Sequence, residues 1–193
     1  MGCDIHLRVE YLAPSETLKN PTLEVVPEGP PEWTFAEKLT HKDESGAGKW
    51  LLEKIAAVDT VGVGDYRDEY DGLPTWDVEY EDKFYTGRDY ALFSALAGVR
   101  GRDHQIWEER GFPEDACDNV REDYEAWGED GHTPSWQTLD ELLQVDWKAL
   151  FDRAHAGYVN KEWAEALERL KDLAYAKCDG NQTHVRIVYW FDN

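Results

Sequence analysis

Two polar clusters in this sequence have side chains suited to acid–base or phosphate chemistry. Asp4 and His6 stand two residues apart in the opening GCDIHLRVEY. In an extended chain that spacing puts both on one face, about 7 Å apart along the strand. A carboxylate beside an imidazole favours the imidazolium or orients the neutral tautomer, as a general acid–base pair or a metal ligand requires. A polar face whose groups merely satisfy one another has the same pattern. The second cluster is Asp130-Gly-His132-Thr-Pro-Ser135, expected as a loop just before a capped helix, where catalytic groups often sit. Its plainer reading is a turn leading into that helix. If His132 approaches His6, two imidazoles can straddle a phosphodiester as a metal-free pair, with Asp4 orienting its histidine. With Asp4 and Asp130 they can instead hold a divalent metal. The spacing matches no defined zinc signature, so no metal is assigned.

Three arginines extend the candidate site. Arg88 and Arg100 bracket the segment GRDYALFSALAGVRG, and Arg186 lies in the closing HVRIVYWFDN. A forked guanidinium suits a ligand phosphate, although in so acidic a chain each can simply pair with a carboxylate. Ser135 joins them as a ligand-binding candidate. The stretch GVGDYRDEYDG lacks the GK[ST] of a phosphate loop, and Arg67 stands where a calcium loop needs an oxygen. No cofactor signature is present. Cys3, Cys117 and Cys178 show no CxxC spacing, which fits a reducing compartment better than a disulfide framework.

The elements that must position these groups follow from periodicity. Residues 3–11 alternate, with Cys3, Ile5, Leu7, Val9 and Tyr11 on one face and Asp4, His6, Arg8 and Glu10 on the other. That is a half-buried strand. The last strand, 183–192, sets Val185, Ile187, Tyr189 and Phe191 against His184, Arg186, Val188 and Trp190. If the two end strands are neighbours, Arg186 shares a face with Asp4 and His6. A proline-rich loop is expected at 13–31, short elements at 33–39 and 50–58, an acidic loop at 61–74 and a weak strand at 76–85. The segment at 87–101 reads as a helix capped by Gly101. Another helical stretch is expected near 115–127. Thr138-Leu-Asp-Glu141 is a capping-box pattern opening a buried stripe through Leu139, Leu142, Leu143, Trp147, Leu150 and Phe151. Asn160 caps the next helix. The fold class is α+β: one domain over residues 1–193, with a mixed or antiparallel sheet holding both terminal strands, about three main helices and long acidic loops.

Charge narrows the function. Forty-one acids against 20 bases give a net charge of −21, which opposes direct nucleic-acid binding, since phosphates need neutralising. It fits a well-solvated surface, or an acidic mimic of DNA phosphates that inhibits a DNA-binding protein. The acids look confined to loop-like segments such as 65–82 and 103–130, not to helical rows, which counts against mimicry. No apolar run reaches a membrane span, and the opening residues lack a basic-then-apolar signal, so a cytoplasmic chain is expected.

The blocks MGCDIHLRVEY, GRDYALFSALAGVRG, RGFPED, DGHTPSWQTLDELL and RIVYWFDN together resemble a family of small phage and prophage proteins that open with GCDIH. The likeness spans nearly the whole chain. Arg8 departs from it, where an aromatic residue is usual, as does Thr133-Pro134, where small polar residues are usual. The resemblance implies a phage setting, in the cytoplasm of a host bacterium, and a counter-defence or accessory role. One expectation is therefore a protein that binds, and can hydrolyse, a phosphorylated nucleotide-like small molecule in a cleft of Asp4, His6, His132 and Arg186. The alternative is the non-enzymatic acidic mimic, and a third reading makes the polar face purely structural. Whether the chain forms a homo-oligomer is left open.

Overall fold

The computed structural model describes residues 3–13, 31–41, 74 and 76–192. The features expected at 13–31, 50–58 and 61–74 lie wholly or largely outside the described residues.

The first expected strand forms as β1, Ile5–Tyr11. Thr34–Phe35 forms β2, Leu39–His41 forms β3 and Trp76–Val78 forms β4. Tyr90–Ala97 is helix α1 and Asp118–Ala126 is α2. His132–Thr138 is β5, followed by α3 (Leu139–Leu143), α4 (Trp147–Ala154), α5 (Lys161–Lys177) and β6 (Val185–Phe191). The main sheet has the order β2-β1-β6-β5 and is antiparallel throughout; β3 and β4 form a separate ribbon. The architecture is thus α+β, with both terminal strands in the sheet. They pair along their full length, from Ile5 opposite Phe191 to Tyr11 opposite Val185.

Alternation explains one face of this sheet. Cys3, Leu7, Val9, Val185, Ile187, Tyr189 and Phe191 are buried in one cluster with apolar side chains from α1, α3, α4 and α5. In α5, Trp163, Ala166, Leu167, Leu170 and Ala174 recur at helical spacing and are buried, so an amphipathic stripe meets the sheet. Asn160 caps this helix, its Oδ1 accepting from Trp163 N at 2.8 Å.

The opposite face is not the open polar surface that the alternation suggests. Val188 and Trp190 are fully buried against Ala116 and Val120, with Phe112, Tyr124, Trp127 and Trp136 packed around them. The segment 112–127, centred on α2, covers this face, so all seven residues of β6 are buried. A strand covered on both faces reads as a continuous apolar run, and RIVYWF has that character.

Three further expectations are corrected. The stripe through 139–151 breaks into α3 and α4, because Asp146 starts a fresh helix by accepting from Ala149 N at 2.9 Å. With α2 well formed, five α-helices stand among the described residues, α5 by far the longest. The cluster around His132 is a strand, not a loop. Pro134 has no N–H to give a ladder, yet β5 is an edge strand and its register shifts between His132 and Ser135. Finally, α1 ends at Gly98, not Gly101. Gly98 takes the left-handed conformation (φ 68°) while its N–H donates to Ser94 O at 2.8 Å.

A Cβ on Gly98 would meet the movable end of the Gln105 side chain, so the backbone conformation dominates the cost. Gly98→Ala should destabilise the protein by about 1–2 kcal/mol, read as a lower urea midpoint with an unchanged slope.

Candidate functional site

The four polar side chains of the first strand each find a partner, and the partners define what the face can do. Glu10 is fully buried and stands directly opposite Arg186. Arg186 Nε donates to Glu10 Oε2 at 2.7 Å, and the backbone N–H of Cys117 donates to Glu10 Oε1 at 2.7 Å. Glu10 therefore sits at the N-terminus of α2, where a negative charge is favoured. Arg186 also donates to Asp115 Oδ1 at 2.8 Å, and its guanidinium carbon lies 3.8 Å from the centroid of the Trp33 ring. Arg186 thus shares the strand face with His6, as expected, but it is 2% exposed and is engaged by carboxylates.

Arg8 is similarly turned inward. Its Nε donates to Asp123 Oδ2 at 2.6 Å, and its Nη1 lies 3.9 Å from Glu37 Oε2. Among the described residues, the polar face is open to solvent at the end that holds Asp4 and His6. There Arg88 grips Asp4 with two hydrogen bonds of 2.5 Å, and both side chains are about half exposed. The Arg88 hydrogen bonds hold the Asp4 carboxyl below its ordinary range. His6 Nε2 lies 3.3 Å from Asp192 Oδ2, while Asp192 Oδ1 accepts from the backbone N–H of Asp4 at 2.8 Å. The His6 ring packs 3.9 Å from Trp127 and 5.8 Å from Trp190, centroid to centroid. Burial pushes the His6 pKa down, and Asp192 opposes that push only in part. Arg100 lies over Tyr90 at 5.7 Å.

The second cluster does not join this corner. His6 stands opposite Trp190, and His132 stands opposite Phe191. Consecutive strand residues point to opposite sides, so the two imidazoles occupy opposite faces of the sheet. His132 stacks along Phe191 with its Nδ1 2.9 Å from Thr133 Oγ1. Ser135 is fully buried, and its Oγ accepts from Arg110 N at 3.1 Å. The expected histidine pair is therefore not assembled, and neither Ser135 nor Arg186 reaches the Asp4–His6 corner. Among the described residues no group of three or more His, Cys, Asp or Glu side chains is arranged to hold a metal. Burial pushes the Cys117 thiol up to about 12 and also raises Cys3, against the opposing pull of Arg100.

Several contributors escaped the sequence reading. Asp192 is within reach of His6 only because the terminal strands pair. The acids on α2 carried a visible signal: Asp118, Glu122 and Glu125 recur at steps of four and three, and Glu129 follows in the short turn beyond the helix. All four are exposed. Val120, Tyr124 and Trp127 take the opposite, inward side. The acids of this segment thus do form a helical row, contrary to the loop-like layout expected. Two clefts flank the row. One, of about 570 Å³, is lined by Glu32, Trp33, Phe35, Asp115 and Asp118. The other, of about 330 Å³, is lined by Trp76, Asp77, Asp123, Trp127 and Asp130.

Comparison with protein-family models, curated proteins and solved structures finds no match. The phage-family resemblance rests on the quoted sequence blocks alone. No helix among the described residues is long and apolar enough to cross a membrane.

Two outcomes follow from this geometry. Glu10→Ala strands a buried guanidinium and should cost about 3–5 kcal/mol in urea unfolding, whereas replacing Glu10 with Met and Arg186 with Leu together should cost much less. In an NMR titration His6 should have a midpoint below 6.5, and Asp192→Asn should lower it further, because it removes the carboxylate that most favours the imidazolium.

Proposed function

We propose that this protein works by binding, not by catalysis, and that it presents the acidic outer side of α2 to a basic surface on a partner protein. Such a surface is one that otherwise meets nucleic-acid phosphates, and the reading suits a counter-defence or accessory role in a phage setting. The observation that carries it is the exposed row Asp118, Glu122 and Glu125 on α2, with Glu129 in the turn beyond its end. Helical steps of four and three residues space such carboxylates about 6 and 4.5 Å apart along the axis. Glu114, Asp115 and Asp130 extend the exposed acidic surface at either end.

Arg121 flanks the row on α2 itself, its guanidinium drawn back to Glu114 O and Ala116 O, and the other nearby cations are engaged elsewhere. Arg8 and Arg186 are buried with carboxylates, and Arg110 is held by Glu141 at 2.5 Å. What remains outside is strongly negative, in keeping with the net charge of −21. A surface of this kind steers a basic partner into place and repels DNA.

The expected outcome is specific. Immobilised protein incubated with a bacterial lysate should retain DNA-binding proteins, released by competing duplex DNA and by high salt. The variant Asp118→Lys, Glu122→Lys, Glu125→Lys should lose at least about tenfold in affinity for a purified partner. His6→Ala should bind like the parent. Equal binding by the triple variant counts against this reading.

A second reading keeps a phosphorylated, nucleotide-like ligand at the Asp4–His6 corner. It is favoured by the exposed Arg88 on Asp4 and by the His6 imidazole packed at a tilt against Trp127. Arg88 and Arg100 would hold phosphate, and Trp127 would offer a ring to a base. Chromatography after incubation with a nucleotide panel separates the readings. Retention that Arg88→Ala abolishes supports a ligand sponge, new products support an enzyme, and unbound, intact nucleotides leave the acidic face as the functional surface.

A further inference from the structure

Glu37 lies between β2 and β3, on the segment 31–41 that packs beside the first strand. Its side chain is fully removed from solvent, and its Oε2 has no hydrogen-bond partner. Among the described residues, Oε1 accepts only a long bond from Phe84 N, at 3.4 Å. The nearest cation among the described residues is Arg8, at 3.9 Å, but that guanidinium is already committed to Asp123 at 2.6 Å. The other charged groups acting on Glu37 are Asp123, from α2, and Lys83, beyond the turn at Tyr80–Asp82. Asp77 on β4 acts in turn on Arg8, and His6 lies within the field of Arg8 and Asp123. One buried guanidinium thus faces two buried or half-buried carboxylates. With Glu37 protonated, Arg8 and Asp123 balance one to one. With Glu37 ionised, the cluster carries an uncompensated charge away from water, which is costly.

The segment that carries Glu37 holds β1 through a short strand, besides the Trp33 ring against Arg186 and the pairing of its far end, β3, with β4. Thr34 and Phe35 pair with Tyr11 and Glu10, Ala36 N donates to Val9 O at 2.9 Å, and Trp33 Nε1 donates to Asp115 Oδ2 at 2.9 Å. A two-residue edge strand of this kind can open locally at far lower cost than the whole fold.

We propose that Glu37, Arg8 and Asp123 form a proton-operated latch: protonated Glu37 keeps segment 31–41 docked on β1, and loss of that proton loosens the segment while the rest of the sheet stays intact. The inference is independent of whether α2 is the partner face. It does bear on that face, because Trp33 and Phe35 on the latched segment line the cleft beside Asp115 and Asp118.

The sign follows from linkage. Burial raises Glu37 from 4.5 to about 7, so the docked state holds a proton that the opened state releases. Docking is firmest below 4.5, weakens through the interval up to about 7 and then levels off.

Hydrogen exchange on the full chain, corrected for intrinsic rates, tests this. Protection of amides in 31–41 should fall by at least about tenfold between pH 5 and 7.5, while amides in α5 keep theirs. Glu37→Gln should remove the pH dependence. Direct observation of the Glu37 carboxyl carbon in the parent protein covers the case in which that variant does not fold. A midpoint near 7 supports the latch; a midpoint between 4 and 5, or equal pH dependence in Glu37→Gln, overturns it.

Discussion

The ion pair between Glu10 and Arg186 is the contact on which the rest of the architecture turns. It sits in the middle of a sheet covered on both sides, directly across the junction of the first and last strands. A buried pair of this kind contributes little net stability against an apolar replacement. What it does here is fix an arrangement. One carboxylate oxygen holds the arginine and the other receives the Cys117 N–H, so α2 is located relative to the strands by the same group that sets their register. Arg186 then reaches past Glu10 to Asp115 and lies against Trp33, tying the segments on either side of α2 into one assembly.

That constraint separates what was legible in the sequence from what was not. The alternation in CDIHLRVEY and HVRIVYWFDN revealed both end strands, and the Thr138 capping box and the Asn160 cap were readable because each depends on local backbone groups. The polar alternation of β1 also placed Arg8 and Glu10 on the right face. It could not reveal that the face is covered, because the covering residues come from 112–127, more than 100 positions away. Polar residues on a buried strand face look the same in sequence as polar residues facing water. His132 was misplaced for a related reason. Gly131 and Pro134 are strong turn signals locally, but the β6 partner strand overrides them and tolerates the proline at an irregular edge.

The candidate site divides accordingly. Asp4 and His6 were identifiable from their spacing, and both keep a solvent-reaching position. Their partners Arg88 and Asp192 come from distant positions, and only the folded topology brings them to one corner. The acidic row on α2 is the opposite case. Its period was present in the chain and was masked by the density of acids around it, since nearly every spacing occurs somewhere between 108 and 130. Only the apolar set Val120, Tyr124 and Trp127 identifies which of those spacings faces outward.

The pairing of the first strand with the last has a consequence for how the chain is made. Glu10 and Arg186 are 176 residues apart, and closing a loop of that length costs roughly 4–5 kcal/mol of chain entropy beyond the constant term. During synthesis β1 emerges well before β6, and apart from the short β2 its backbone has no strand partner until β6 leaves the ribosome. For most of that time an aromatic-rich, half-built sheet must wait with one edge unpaired, a state prone to association. A strongly negative chain repels its own copies throughout the delay, so the acidity also serves the nascent protein before any partner is met.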